Sequence, residues 1–288
     1  MTQHFAVLGS PIAHSLSPAL HSAAFEATGR DATYEAREVG AGGLAAALEE
    51  LVAAGFGGVN LTSPLKVEGL ALAHEASAAA RAAGAANTLA FREGRILAAN
   101  TDGVGFVTFL ERAGIGVAGR AIAFLGGGGA AAGLVPALRA AGAGAIHVAA
   151  RTPERTRALA PGLGGPGVTV VPLEQAEAGV RQAALVVQAT PLGLAPGDPL
   201  PCPPAWVAAE AVAIDLLYHP AVTPWLAALR ARGVRAANGL GLLIEQALEA
   251  QRFWFGTTPP RPALEAAVAW QDPFSPPSSR GPEGSSAG

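Results

Sequence analysis

Short runs of β-branched and aromatic residues alternate along this chain with longer Ala/Leu-rich stretches whose apolar positions recur every three to four residues. Residues 5–8, 33–39, 58–61, 88–92 and 96–99 read as strands, and 18–28, 43–54 and 64–73 as the helices between them. After Asp102 a helical period runs to about residue 114, and a turn spans 114–119. A second strand–helix series opens at 121–125, with later strands at 145–149, 168–171, 184–188 and 211–215. Such alternation demands crossover connections and mostly parallel sheets, which predicts an α/β fold. Residues 238–255 form a long helical period, too densely apolar for a lone surface helix; part of it must pack in a core or between domains. The seam lies near 101–119 and the chain crosses back at about Ala237. The expected units are 1–101 with 237–271, then 102–236.

Composition changes this picture little. The chain has 288 residues, half of them hydrophobic and only 14% charged, which suits compact cores. A net charge of −3 with no basic stripe argues against nucleic acid. The lone Cys202 excludes an intrachain disulfide and a thiolate zinc site, and no metal is expected. The first residues show no basic and apolar signal pattern, and no stretch of about 18 apolar residues runs unbroken. Neither secretion nor a membrane span is expected, which leaves a cytoplasmic address. Residues 272–288, rich in Pro, Ser and Gly, read as a disordered tail.

Charge usage points to chemistry. Lys66 is the only lysine, against eighteen arginines. Arginine replaces lysine as a surface charge but not as an amine that gives up a proton near neutral pH. A position that keeps the amine either needs it or retained it by chance on a solvated helix start. Asparagine is also scarce: Asn60, Asn87, Asn100 and Asn238 each follow an apolar run beside a turn signal. Any one of them could cap a helix. Together they could converge on the carboxyl ends of strands, where open α/β sheets bind ligands.

The segment from Phe124 to Ala132 carries four consecutive glycines after a strand pattern and before a helical one. Gly126, Gly128 and Ala131 fit the dinucleotide fingerprint, and so do Gly127, Gly129 and Ala132, so the register stays open. At the end of the next strand stands Arg151, with Thr152 and Arg155 nearby and no acid to bind a ribose hydroxyl. That favours NADP over NAD; a solvated basic loop is the plain alternative. Ser15 and Ser17 precede a helix with Pro18 in its first turn. One of them could be the N-cap, or both could hold a substrate carboxylate at the helix start. Asp102 in Thr101-Asp102-Gly103 could likewise be a cap, and Gln246 an ordinary helix residue.

In order, the chain presents Gly9-Ser-Pro-Ile-Ala-His-Ser-Leu-Ser-Pro18, Asn60-Leu-Thr-Ser-Pro-Leu-Lys66, Ala86-Asn-Thr88 and Asn100-Thr-Asp-Gly103. The glycine turn, Arg151-Thr152 and a late helix holding Gln246-Ala247 follow. This series resembles the shikimate dehydrogenase family closely over residues 5–255. The resemblance implies an N-terminal substrate domain, a Rossmann cofactor domain and a cleft between them. It implies NADP-dependent, reversible reduction of 3-dehydroshikimate to shikimate, on the route to chorismate and the aromatic amino acids. Lys66 and Asp102 would form the catalytic dyad. Ser15 and Ser17 would bind the carboxylate, and Thr62, Asn87 and Gln246 the ring hydroxyls. Gly126, Gly127, Gly128, Gly129 and Ala130 would hold the pyrophosphate, and Arg151, Thr152 and Arg155 the adenosine phosphate. Thr190 would line the cofactor site, with Tyr218 on the substrate and Gly239 on the cofactor closing the cleft. The family's loop asparagine is Ala150 here, which weakens the cofactor-phosphate grip, and its asparagine before Ala-Thr-Pro is Gln188. Its methionines are Leu194 and Leu242. Activity on quinate, use of NAD, and a non-catalytic NADP-binding sensor are the competing expectations. Both monomer and homodimer stay open.

Overall fold

The computed structural model describes residues 2–271 and residue 274. In chain order the first half contains β1 (Gln3–Gly9), α1 (Ser17–Ala27), β2 (Ala32–Glu38), α2 (Leu44–Ala53), β3 (Phe56–Leu61), α3 (Lys66–Ala71), β4 (Glu75–Ala76), α4 (Ala78–Ala83), β5 (Thr88–Arg92), β6 (Arg95–Ala99) and α5 (Asp102–Arg112). The second contains β7 (Ile122–Leu125), α6 (Gly129–Ala140), β8 (Ile146–Ala150), α7 (Pro153–Leu159), β9 (Val168–Pro172), α8 (Glu177–Gln182), β10 (Leu185–Gln188), β11 (Val212–Asp215), α9 (Pro224–Ala231), β12 (Arg235–Ala237), α10 (Leu240–Phe255) and α11 (Arg261–Ala267).

These strands form two six-stranded sheets, β2-β1-β3-β5-β6-β4 and β12-β11-β10-β7-β8-β9. The first is parallel except for β5, which is antiparallel to both β3 and β6. A two-residue turn at Glu93–Gly94, with φ of 49° and 72°, makes the β5–β6 hairpin, as tight hairpins with two positive φ values do. Because β5 runs backwards, its amino end, with Asn87 just before it, lies at the carboxyl edge of β3. The second sheet is parallel throughout. Its order reverses between β7 and β10, the doubly wound arrangement whose switch point binds nucleotides.

Each sheet has its own core. Leu8, Leu44, Leu51, Val59, Leu61 and Leu89 fill one face of the first. Phe106, Ile122, Phe124, Leu138, Val148 and Ile214 fill one face of the second. Helix α5 leaves the first sheet and packs Phe106, Phe109 and Leu110 into the core of the second. The apolar density of α10 has its expected cause: Ile244, Ala247 and Leu248 pack against α1, and at Gly105 of α5 an added Cβ would lie 2.7 Å from the Gln246 amide nitrogen. Gly256, at φ 74°, ends α10 with a left-handed cap.

Sequence periodicity missed β4, α4, β12 and α11, each at most seven residues long. The helix expected over 64–73 starts only at Lys66, after Pro64 and Leu65. The disordered tail expected over 272–288 lies outside the described residues except at Phe274. That ring stacks on Phe109 at 6.5 Å and lies under Arg235, so at this position the chain is packed on the second core. No helix among the described residues is long and apolar enough to cross a membrane.

Candidate active site

The residues singled out along the sequence sit at the carboxyl edges of both sheets. Thr62 follows β3, and Lys66 begins α3. Asp102 begins α5 immediately after β6, and Asn87 precedes the reversed β5. Lys66 Nζ donates to Asp102 Oδ2 at 2.5 Å, with the two side chains 22% and 12% exposed. Asn87 Nδ2 donates to Asp102 Oδ1 at 2.8 Å, so each carboxylate oxygen has a donor. Gln246 Oε1, from α10, lies 3.5 Å from Asn87 Nδ2. Lys66, Asp102, Asn87 and Gln246 are therefore one contact group.

The orientation of Asn87 is imposed on it. The Thr101 amide donates to Asn87 Oδ1 at 2.7 Å and the Thr88 hydroxyl does so at 3.1 Å. With its oxygen occupied by donors, the amide turns its NH2 group toward Asp102. Thr101 and Thr88 escaped sequence reasoning, because a hydroxyl beside Asn87 or Asp102 reads equally well as a turn residue. The cap alternative for Asp102 fails: Thr101 is the N-cap, and Asp102 makes no side-chain cap bond.

A second group lies under the start of α1. Ser17 is buried, and its amide donates to Ser15 Oγ at 3.3 Å. Leu16 is the N-cap and has no side-chain cap bond, so neither serine is the N-cap residue. Burial pushes the Tyr34 phenol well above its usual range, against the pull of the Ser17 hydroxyl. Tyr34 donates to Asn60 Oδ1 at 2.7 Å, and Asn60 Nδ2 donates to the Asn87 carbonyl at 3.1 Å, which connects the two groups. Tyr218 reaches the same place from the loop after β11; burial raises its phenol, opposed by the Leu16 backbone beside it. Next to it His14 and His219 stack at 5.4 Å, one ring from each sheet's loops. Gly9 allows Thr62 to close in, since a Cβ there would overlap the Thr62 methyl.

The four asparagines do not all converge. Asn100 is taken up by the Ala85 carbonyl and the Asp102 amide. Asn238 bonds the Ala221 carbonyl and the Leu240 amide, which is helix-start duty.

The glycine turn follows β7. Gly126 has φ +111°, and a Cβ there would lie 2.7 Å from the Ala189 carbonyl oxygen. Gly127 has no room for a Cβ either, but of the two only Gly126 has a positive φ, which favours the register Gly126-x-Gly128-x-x-Ala131. A Cβ on Gly128 or Gly129 would meet nothing within 4 Å, so the start of α6 is open to a ligand. Gly133, further along α6, lies against Asn100 and the Asp102 Cβ, so this helix joins the turn to the dyad. Arg151, Thr152 and Arg155 are exposed. Neither arginine has an ion-pair partner among the described residues. Gln188, fully buried, donates to the Thr190 and Leu192 carbonyls at 3.1 and 2.9 Å and accepts from the Thr190 amide. It holds the Thr190 loop against Gly126. Gly239 has a packing reason of its own, since a Cβ would run into the Leu216 carbonyl. Open backbone at a helix start, flanked by two unpaired guanidinium groups, suits a phosphorylated dinucleotide.

Fold and site define an α/β protein of two six-stranded sheets, one of Rossmann type and the other followed at its carboxyl edge by a lysine–aspartate pair. Family models match in three segments: the shikimate dehydrogenase substrate binding domain at 7–89, shikimate / quinate 5-dehydrogenase at 110–192, and the shikimate 5′-dehydrogenase C-terminal domain at 239–269. The chain belongs to the shikimate dehydrogenase family. It is 41% identical over 269 residues to the shikimate dehydrogenase (NADP(+)) of Moorella thermoacetica, covering 91% of each chain. The crystal structure of the Thermus thermophilus shikimate 5-dehydrogenase, in complex with NADP(H) and shikimate, superposes with a TM-score of 0.82 at 40% identity, over 93% of this chain and 98% of that one. The Aquifex aeolicus shikimate dehydrogenase gives 0.86 at 31% identity, over 93% and 97%.

Proposed function

We propose that this protein catalyses the reversible, NADP-dependent reduction of 3-dehydroshikimate to shikimate, on the route to chorismate and the aromatic amino acids. The observation that carries the reading is the Lys66–Asp102 pair, bonded to Asn87 and joined through Gly133 to the helix that starts at the glycine turn. When bound, NADPH supplies the hydride that adds to the substrate's ring carbonyl carbon.

The chain's residues handle binding and the proton. Lys66 Nζ delivers a proton to the carbonyl oxygen as it becomes an alkoxide, and takes one back in the reverse direction. Asp102 Oδ2 orients the ammonium, and Oδ1, held by Asn87, faces the ring hydroxyls. Ser15 and Ser17, beside the start of α1, bind the substrate carboxylate. Thr62, Asn87, Gln246 and Tyr218 fix the ring. Gly126 to Ala130 bind pyrophosphate, Arg151, Thr152 and Arg155 the 2′-phosphate, and Thr190 and Gly239 line the cofactor side. The substrate unit comprises residues 1–101 with 237–271 and the cofactor unit 102–236, a division supported by α5 leaving the first sheet and packing on the second. We further propose a cytoplasmic address, where cell fractionation would recover the activity apart from membranes.

The test is initial-rate oxidation of shikimate and of quinate, each with NADP and with NAD. Shikimate with NADP is expected to give the highest kcat/KM. Measurable NADP binding without turnover of any pair would replace this reading with a nucleotide-binding sensor.

A further inference from the structure

Thr156 lies in the middle of α7, between two exposed arginines, yet only 6% of it is accessible. Its side chain turns inward to the glycine turn. A Cβ on Gly127 would sit 2.5 Å from Thr156 Oγ1 and 3.0 Å from the Ala150 Cβ. The turn after β7, the end of β8 and α7 therefore meet at one point. Of the three residues there, Gly127, Ala150 and Thr156, the threonine alone has a polar side chain.

That hydroxyl has no partner among the described residues. A helical threonine commonly donates to the carbonyl four residues back, and even Thr28, the C-cap of α1, does so to Ala24 at 2.7 Å. At Thr156 only the backbone amide makes that bond, to the Thr152 carbonyl. Yet Oγ1 is not sealed off: the sealed, unpartnered side-chain atoms among the described residues are His21 Nε2 and Trp225 Nε1. Thr156 Oγ1 is thus a nearly buried hydroxyl without a partner among the described residues, set directly against the glycine turn. An unmade hydrogen bond at so enclosed a hydroxyl is unfavourable, and a ligand acceptor relieves it. In a doubly wound sheet the group lying over this point is the adenosine ribose, whose 2′ substituent is read at the end of the second strand. Here β8 is that strand, and Arg151 and Thr152 follow it directly.

We propose that Thr156 is a specificity-determining residue, whose hydroxyl donates to the 2′-phosphate of the adenosine ribose alongside Arg151, Thr152 and Arg155. This rests on the reading that the glycine turn holds NADP. It explains how the site can read a phosphate although Ala150 offers no polar group.

The test measures dissociation constants of NADP and NAD, without substrate, for the wild-type chain and for Thr156→Val and Thr156→Ser, with unfolding midpoints as a fold control. Thr156→Val is expected to weaken NADP binding about five- to tenfold, leave NAD within twofold, and recover in Thr156→Ser. Equal weakening toward both nucleotides would assign the residue to packing and overturn the proposal, as would no change toward NADP. Should Thr156→Val lower the unfolding midpoint, Thr156→Ala, which also lacks the hydroxyl, decides on the same ratio. Wild-type binding of NAD as tight as NADP would sink the cofactor reading itself, and the Thr156 proposal with it.

Discussion

His21 makes the fold acid-sensitive by an amount that follows from its surroundings. The ring is fully buried, stacked on Tyr34 at 4.3 Å, and its Nδ1 accepts from Gln251 Nε2 at 2.9 Å. Accepting there requires the neutral imidazole, because a protonated Nδ1 would face the amide's own donor. Burial lowers the pKa from 6.5 to about 3, with the Asn60 amide pulling weakly the other way. The folded value is depressed, so between about pH 6.5 and 3 the unfolded chain binds a proton that the folded chain refuses. Stability is therefore lost as pH falls through that window. At pH 5 the penalty is 1.36 kcal/mol for each unit below 6.5, or about 2 kcal/mol. The assay is urea unfolding at pH 7 and pH 5 for the wild-type chain and His21→Gln, whose amide does not titrate. Asp215, which burial raises, contributes with the opposite sign but equally in both proteins, so it cancels in the difference. Wild type is expected to lose about 2 kcal/mol more than the variant on acidification. Parallel losses would refute the neutral, buried histidine.

Two further outcomes follow from the site. Asn87→Ala removes the donor to Asp102 Oδ1 and strands the Thr101 amide; kcat/KM for shikimate should fall about tenfold to a hundredfold, and stability by about 1–3 kcal/mol, in steady-state kinetics and thermal unfolding. Gly105→Ala would gain about 1 kcal/mol in an isolated helix. Here its Cβ meets the Gln246 amide nitrogen at 2.7 Å, rigid backbone that cannot give, so the variant should unfold more easily and show a raised KM for shikimate.

Most strand positions were legible because alternating runs end at turn residues: β5 has the expected bounds, and the other expected strands shift by at most two residues. The dyad was legible for a related reason, since Lys66 and Asp102 both stand where a strand gives way to a helix. Short β12 carries no periodicity over three residues and could not be read. The glycine register stayed open because a run of four glycines fits two frames, and only the backbone torsion at Gly126 separates them. The buried His21–Gln251 bond spans 230 positions, and periodicity marks a buried face without naming its partner. The expected convergence of four asparagines was partly wrong at Asn238, where local backbone bonds suffice.

The central claim is that Lys66 serves as a proton donor and not merely as a positive charge beside Asp102. Lys66→Arg keeps the cation and the possibility of the ion pair, but a guanidinium does not give up its proton in this pH range. Its kcat for shikimate oxidation with NADP, measured near pH 8, should fall about a hundredfold or more, while KM for shikimate changes only severalfold. A variant with near wild-type kcat would contradict the assignment, because charge alone would then suffice.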